Sequence, residues 1–184
     1  MDSVTVFCGS RHGAKPEFAA ATAELGAALA RAGLRIIYGG GSRGLMGVLA
    51  EAALAEGGEV IGIIPRFLEA REVAHRGLTE LVIVDSMQHR KDRLIAAGDA
   101  VIVLPGGFGT MDELLEVLTM KLLGVHAKPI LICNVAGWAD ALLAAFEAAI
   151  EADFAVTDVR RAWEIVPDTA HAVRWLARVG QAPR

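Results

Sequence analysis

The feature that most constrains this chain is a strict alternation. Short, almost wholly apolar runs at 4–7, 35–38, 60–64, 81–84, 100–104 and 129–133 are separated by Ala- and Leu-rich stretches at 16–32, 45–56, 87–97, 110–123 and 140–152. Another apolar run at 163–166 precedes a last helical stretch at 169–178. Runs of about five residues without a polar face are typical of strands buried on both sides, which predicts a parallel sheet covered by helices. The alternation therefore predicts an α/β fold, a three-layer, doubly wound Rossmann-like parallel sheet. A closed eight-fold barrel takes about 250 residues, and this chain has 184. It reads as a single Rossmann-like domain over 1–184. Pro16 suits a first helical turn, and Gly33 and Gly124 suit helix C-terminal caps. The stretch 65–79, with three Arg and two Glu, reads as a surface excursion.

Composition narrows the function classes. Hydrophobic residues are 54% and charged residues 22% of the chain, enough for a core and incompatible with disorder as the main state. The net charge of -4, without a basic cluster, argues against nucleic acid as a partner. Mean hydropathy is +0.44, yet no stretch reaches the ~18 apolar residues of a spanning helix, so no membrane partner is expected. The start, MDSVTVF, runs directly into a strand and reads as lacking a secretory leader. Cys8 and Cys133 sit in apolar runs and read as core residues of a reduced, cytoplasmic protein. The five histidines, at 12, 75, 89, 126 and 171, have no metal-ligand spacing, so no metal is expected. The stretches 45–56 and 110–123 are apolar on more than one face, which predicts a homodimer with a helix-on-helix interface.

In open α/β sheets ligands sit at the carboxyl ends of the strands. Three glycine-bearing turns fall there: Cys8-Gly9-Ser10-Arg11, GGGSRGLMG at 39–47 and PGGFGTMDE at 105–113. Glycines let backbone amides approach a ligand, and helix N-termini favour anions, so a phosphate is expected at this rim. The segment 39–44 fits G-x-G-x-x-G, but the following strand ends Ile64-Pro65-Arg66 without the carboxylate a dinucleotide ribose needs. A Walker-type loop is excluded because no Gly-Lys pair occurs.

Three charged positions stand out. Arg90 and Lys91 are placed in a first helical turn, where cations oppose the helix dipole unless an anion or carboxylate compensates. A solvated basic pair, common on surfaces, is the alternative, but the placement against the dipole favours a compensating partner; Arg90 is expected to be partly exposed. Glu113 completes Thr110-x-x-Glu113, which is a capping box with Thr110 as the cap. Periodicity alone leaves capping and catalysis equally open for it. Should the fourth and fifth strands be neighbours, Arg90 and Glu113 would meet at one rim.

With these residues assembled, the chain resembles the LOG (lonely guy) family of cytokinin riboside 5'-monophosphate phosphoribohydrolases, often mislabelled lysine decarboxylases. The signature P-G-G-x-G-T-x-x-E is present as PGGFGTMDE (105–113), with further matches in VFCGS (6–10), YGGGSRGLMG (38–47), GGEVIGIIP (57–65), REVAHRGLTEL (71–81) and LGVHAKPILICN (123–134). The resemblance implies a Rossmann-like dimer that hydrolyses the N-glycosidic bond of an adenosine 5'-monophosphate to an N6-substituted adenine and ribose 5-phosphate, without a cofactor. It places the catalytic pair on Arg90 and Glu113. Substrate contacts are implied at Glu72, Lys91, Gly106, Gly107, Gly109, Thr110, Asp112 and Thr119, and the glycine rim adds Ser10 and Gly41. Met120 and Leu122 stand where the family often has Trp and Gln. The alternatives are a broader AMP nucleosidase and a non-catalytic carrier of a phosphorylated pterin such as molybdenum cofactor.

Overall fold

The computed structural model describes residues 1–69 and 73–180. Seven strands are formed: β1 (Ser3–Phe7), β2 (Arg35–Tyr38), β3 (Val60–Pro65), β4 (Glu80–Val84), β5 (Ala100–Val103), β6 (Ile130–Cys133) and β7 (Glu164–Val166). They make one sheet in the order β4-β3-β2-β1-β5-β6-β7, and every pairing is parallel. The crossovers are α1 (Pro16–Arg31), α2 (Gly44–Ala55), a short α3 (Arg66–Glu69), α4 (Met87–Ala97), α5 (Phe108–Leu122) and α6 (Asp140–Glu151), and α7 (Thr169–Gly180) closes the fold.

The strand alternation divides the core in two. Val4, Val6, Ile36, Tyr38, Ile102 and Leu131 face α1, α2 and α7. Phe7, Ile37, Ile63, Val101, Val103 and Ile132 face α4 and α5. Gly33 and Gly124 follow their helices at φ 69° and 75°, left-handed values that a side chain disfavours. Beyond α4, the Lys128 ammonium donates to the carbonyls of Ile95, Ala96 and Gly98 at 2.5, 2.8 and 2.5 Å, satisfying the helix end and opposing its dipole.

The chain steps outward from β1 to β4 and then returns to lay β5 against β1, with Val4 opposite Ala100 and Phe7 opposite Val103. The order of strands reverses between β1 and β5, and loops diverge there to leave a crevice. Strands β4 and β5 are thus not neighbours; three strands separate them. Any meeting of Arg90 and Glu113 has to come from helix placement.

Candidate active site

Helix α4 must travel from the sheet edge back to its centre. It crosses beneath β3 and β2, which carries Arg90 inward. Ser86 caps the helix by accepting the His89 N–H at 3.1 Å. Arg90 is 5% exposed, not partly exposed as its first-turn position suggests. Its Nε donates to the Ile63 carbonyl at 3.1 Å and its Nη2 to the Gly39 carbonyl at 2.6 Å. Two carbonyls at the ends of β3 and β2 thereby fix the plane of the guanidinium. A Cβ at position 39 would lie 2.3 Å from Nη2, so glycine is required for the arginine to lie there.

Helix α5 begins three residues earlier than the capping box predicts. Gly107 is its N-cap and no side chain caps it, so Thr110 lies inside the first turn. Thr110 is 3% exposed and packs against Gly106, where a Cβ would come within 2.0 Å of its Oγ1. The Thr-x-x-Glu pattern is real, but burial draws the threonine into the helix instead of leaving it extended at the cap. Glu113 is released from capping and lies one turn further along.

Arg90 and Glu113 meet as walls of one cavity of about 300 Å³, together with Cys8, Ser10, Gly107 and Thr110. Gly39, Met46, Met87 and Arg11 complete much of the rest. Among the lining residues Glu113 is the one carboxylate, against the cations Arg11 and Arg90, so the described wall carries a positive excess suited to an anion. Gly107 and Gly109 have open space where a Cβ would be. Packing therefore does not demand glycine at either, although glycine inside a helix costs about 1 kcal/mol relative to alanine. The bare helix end leaves room for a ligand against its amides. Burial, and secondarily the Glu113 charge, push the Cys8 thiol far above its ordinary range. It stays protonated at neutral pH and is not a nucleophile.

The remaining sequence-derived positions lie off this cavity. Gly41 is buried, pairs with Ala74 and accepts from the Tyr38 hydroxyl at 3.1 Å. Gly106 backs a neighbouring, largely apolar cavity of about 280 Å³ with Phe18, Leu45 and Trp138. Lys91 Nζ sits 2.6 Å from Glu116 and 3.1 Å from Asp112, and these carboxylates, Glu116 foremost, hold its proton more firmly. The pair locks α4 to α5 and resolves the unfavourable dipole placement. Thr119 donates to the Leu115 carbonyl at 2.7 Å on the outer face of α5. Glu72 lies outside the described residues. Sequence reasoning did not single out Met46, Met87 or Trp138 as site residues: Met46 falls inside the 38–47 match without being marked in it, and the places of all three depend on packing between distant segments.

The comparisons bear on the family. A family model described as possible lysine decarboxylase matches residues 46–176. A probable cytokinin riboside 5'-monophosphate phosphoribohydrolase of Oryza sativa is 42% identical over 168 residues, covering 91% of this chain and 75% of that protein. A cytokinin riboside 5'-monophosphate phosphoribohydrolase of Rhodococcoides fascians is 50% identical over 133 residues, covering 72% and 67%. Among solved structures, the molybdenum cofactor carrier protein of Chlamydomonas reinhardtii superposes with a TM-score of 0.75 at 18% identity, over 98% of this chain and 99% of its own, which is a likeness of fold. With the signature at 105–113 closing the crevice between β1 and β5, this chain belongs to the LOG family of cytokinin riboside 5'-monophosphate phosphoribohydrolases, the family also described as possible lysine decarboxylases.

Proposed function

We propose that this protein hydrolyses the N-glycosidic bond of adenosine 5'-monophosphate carrying an N6 substituent, releasing the adenine-type base, a cytokinin, and ribose 5-phosphate. The observation that carries this reading is the convergence of Arg90, Glu113 and the open N-terminus of α5 on one cavity. The phosphate docks on the Gly107–Gly109 amides and the Thr110 turn, where the helix dipole favours it. Holding this remote group orients the sugar. As the C1'–N bond breaks, positive charge grows at C1' and the Glu113 carboxylate stabilises it or takes a proton from the attacking water. Water oxygen bonds to C1', and the departing base takes up a proton. Arg90, pinned by two carbonyls, holds a fixed positive charge beside these events.

A pure carrier would need the anion-binding turn but not a carboxylate beside it, so the Glu113 position favours the enzyme. The test is direct. Purified protein incubated with AMP and with N6-isopentenyl-AMP should release free base, read by chromatography, with the substituted nucleotide preferred. Retention of both nucleotides intact would overturn the reading.

The homodimer belongs to this proposal. Seven of the twelve α2 residues are buried within the chain against α1 and the sheet, so we assign the interface to α5 in preference to that helix. Helix α5 differs: Phe108, Leu115 and Leu122 are 92%, 47% and 51% exposed, on one stripe at three- and four-residue spacing with Asp112 and Thr119. A second copy of α5 laid on this stripe would cover it. Both cysteines are free and buried, as suits a reducing cytoplasm.

A further inference from the structure

The turn from β5 into α5 is held by two hydrogen bonds from distant parts of the chain. The Pro105 carbonyl accepts the Gly9 N–H at 3.0 Å, and the Gly106 carbonyl accepts the Trp138 indole N–H at 2.9 Å. In a trans peptide the C=O and N–H of one unit point in opposite directions. The Gly106 oxygen and the Gly107 nitrogen belong to one such unit. Trp138 lines the neighbouring cavity and not the described wall of the catalytic one, whereas Gly107 lies between them and lines both. An oxygen drawn toward the indole therefore turns the Gly107 N–H toward the cavity. We infer that Trp138 is a positioning residue for anion recognition: its indole N–H fixes the Gly106–Gly107 peptide so that the Gly107 amide is presented to the phosphate of the substrate. This rests on the proposed placement of a phosphate at the start of α5.

The segment carrying Trp138 is itself held in a costly shape, which supports the assignment. It follows a 3-10 turn, Val135–Gly137, in which Ala136 adopts φ 50°. A residue with a side chain disfavours that left-handed region. Asn134 holds the turn: its Oδ1 accepts the Ala139 N–H and its Nδ2 donates to Asp140, both at 2.7 Å. Lys15 adds a bond from its ammonium to the Ala136 carbonyl at 2.8 Å. Strain held by three side-chain contacts brings the indole within reach of a carbonyl 32 residues earlier. Packing alone would have required the ring and not the N–H; the ring does rest against the core on the α4 and α5 side.

Trp138→Phe keeps a ring and deletes the donor. Binding of ribose 5-phosphate and of inorganic phosphate to the parent and variant proteins, by titration calorimetry, is the primary measurement. The Kd is expected to rise at least ten-fold for both ligands while the melting temperature stays within a few degrees. In turnover the loss should appear in KM for the nucleotide, with kcat within three-fold, and kcat/KM for the corresponding nucleoside, which lacks the phosphate, should not move. Asn134→Ala, which leaves the indole in place and frees its turn, should raise the Kd by less. Equal phosphate affinity in the parent and in a folded Phe variant overturns the role of Trp138 and leaves the proposed reaction standing. If Trp138→Phe does not fold, unchanged affinity in Asn134→Ala does the same. A parent protein that binds neither phosphate ligand overturns both.

Discussion

Helix α2 buries seven of its twelve residues, whereas α6, of the same length, buries none. The contrast extends to the layers they belong to. On the α1–α2 side, the helices approach until backbone meets backbone: a Cβ on Gly26 would lie 2.5 Å from the Leu49 carbonyl oxygen. On the other side, α5 leaves Leu115 and Leu122 half exposed, and Phe154 beyond α6 is 88% exposed. One layer is closely covered within the chain and the other leaves apolar side chains exposed. Arg90 and Glu113 both ride on helices of the more exposed layer, so the side that carries the proposed catalytic pair is also the side that would gain most from a second copy.

The largest effect expected on that side is chemical. Glu113→Gln removes the carboxylate charge without disturbing a cap, because α5 starts at Phe108. Base release should fall at least ~100-fold, the usual span for a general acid–base group, with melting within a few degrees of the parent. A fully active Gln variant would remove Glu113 from the reaction. Arg90→Ala should lose comparable rate but also melt lower, since the Ile63 and Gly39 carbonyls lose their donor at about 1–3 kcal/mol. A rate loss without any loss of stability would contradict the two hydrogen bonds.

Next is assembly. Leu115→Glu combined with Leu122→Glu should reduce the mass in light scattering to that of a 19.4 kDa monomer, while the parent runs as a dimer at micromolar concentration. A monomeric parent would remove the reason given for the exposed stripe. On the closely covered side, Gly26→Ala should cost about 1–3 kcal/mol by overpacking, with kcat unchanged; chemical denaturation reads this. A neutral result would mean that α1 and α2 can separate freely, and the contrast between layers would weaken.

The smallest effect lies at the start of the sheet. Asp99 accepts the Asp2 and Ser3 amides at 2.7 and 3.1 Å, and these bonds, that from Asp2 foremost, hold its carboxyl below the usual range. A depressed folded-state pKa stabilises above the unfolded value of about 3.9, and that contribution disappears as pH falls through the folded value. Asp99→Asn should thus cost no more than about 1 kcal/mol at neutral pH, given its exposure, and less below pH ~4. Melting curves at pH 7 and 3 measure the difference.

Apart from the short α3, which falls in the stretch read as a surface excursion, strand and helix positions were legible in the sequence to within two residues, because a buried parallel strand leaves an unbroken apolar run. The candidate site was legible where a motif encodes a backbone need, as at 105–113, whose Gly107, Gly109, Thr110 and Glu113 line one cavity. Elsewhere local pattern and tertiary packing part company. Thr110-x-x-Glu113 has the form of a cap, yet contact with Gly106 pulls Thr110 into the helix. Arg90 has the form of a surface residue, yet the path of α4 beneath β3 and β2 buries it. Trp138 bears no local mark, since its partner is 32 residues away.

The central pairing of β1 with β5 has a consequence for how the protein is made. Val4 lies opposite Ala100, so the middle of the sheet joins segments about a hundred residues apart. Strands β1 to β4 leave the ribosome first, and they hold none of α5. The crevice comes into being only when β5 inserts beside β1 and brings the glycine turn behind it. Closing so long a loop is slow compared with local helix formation. In refolding, helical signal should return before hydrolysis does, and a nascent chain released before residue 100 would have most of a sheet and no chemistry.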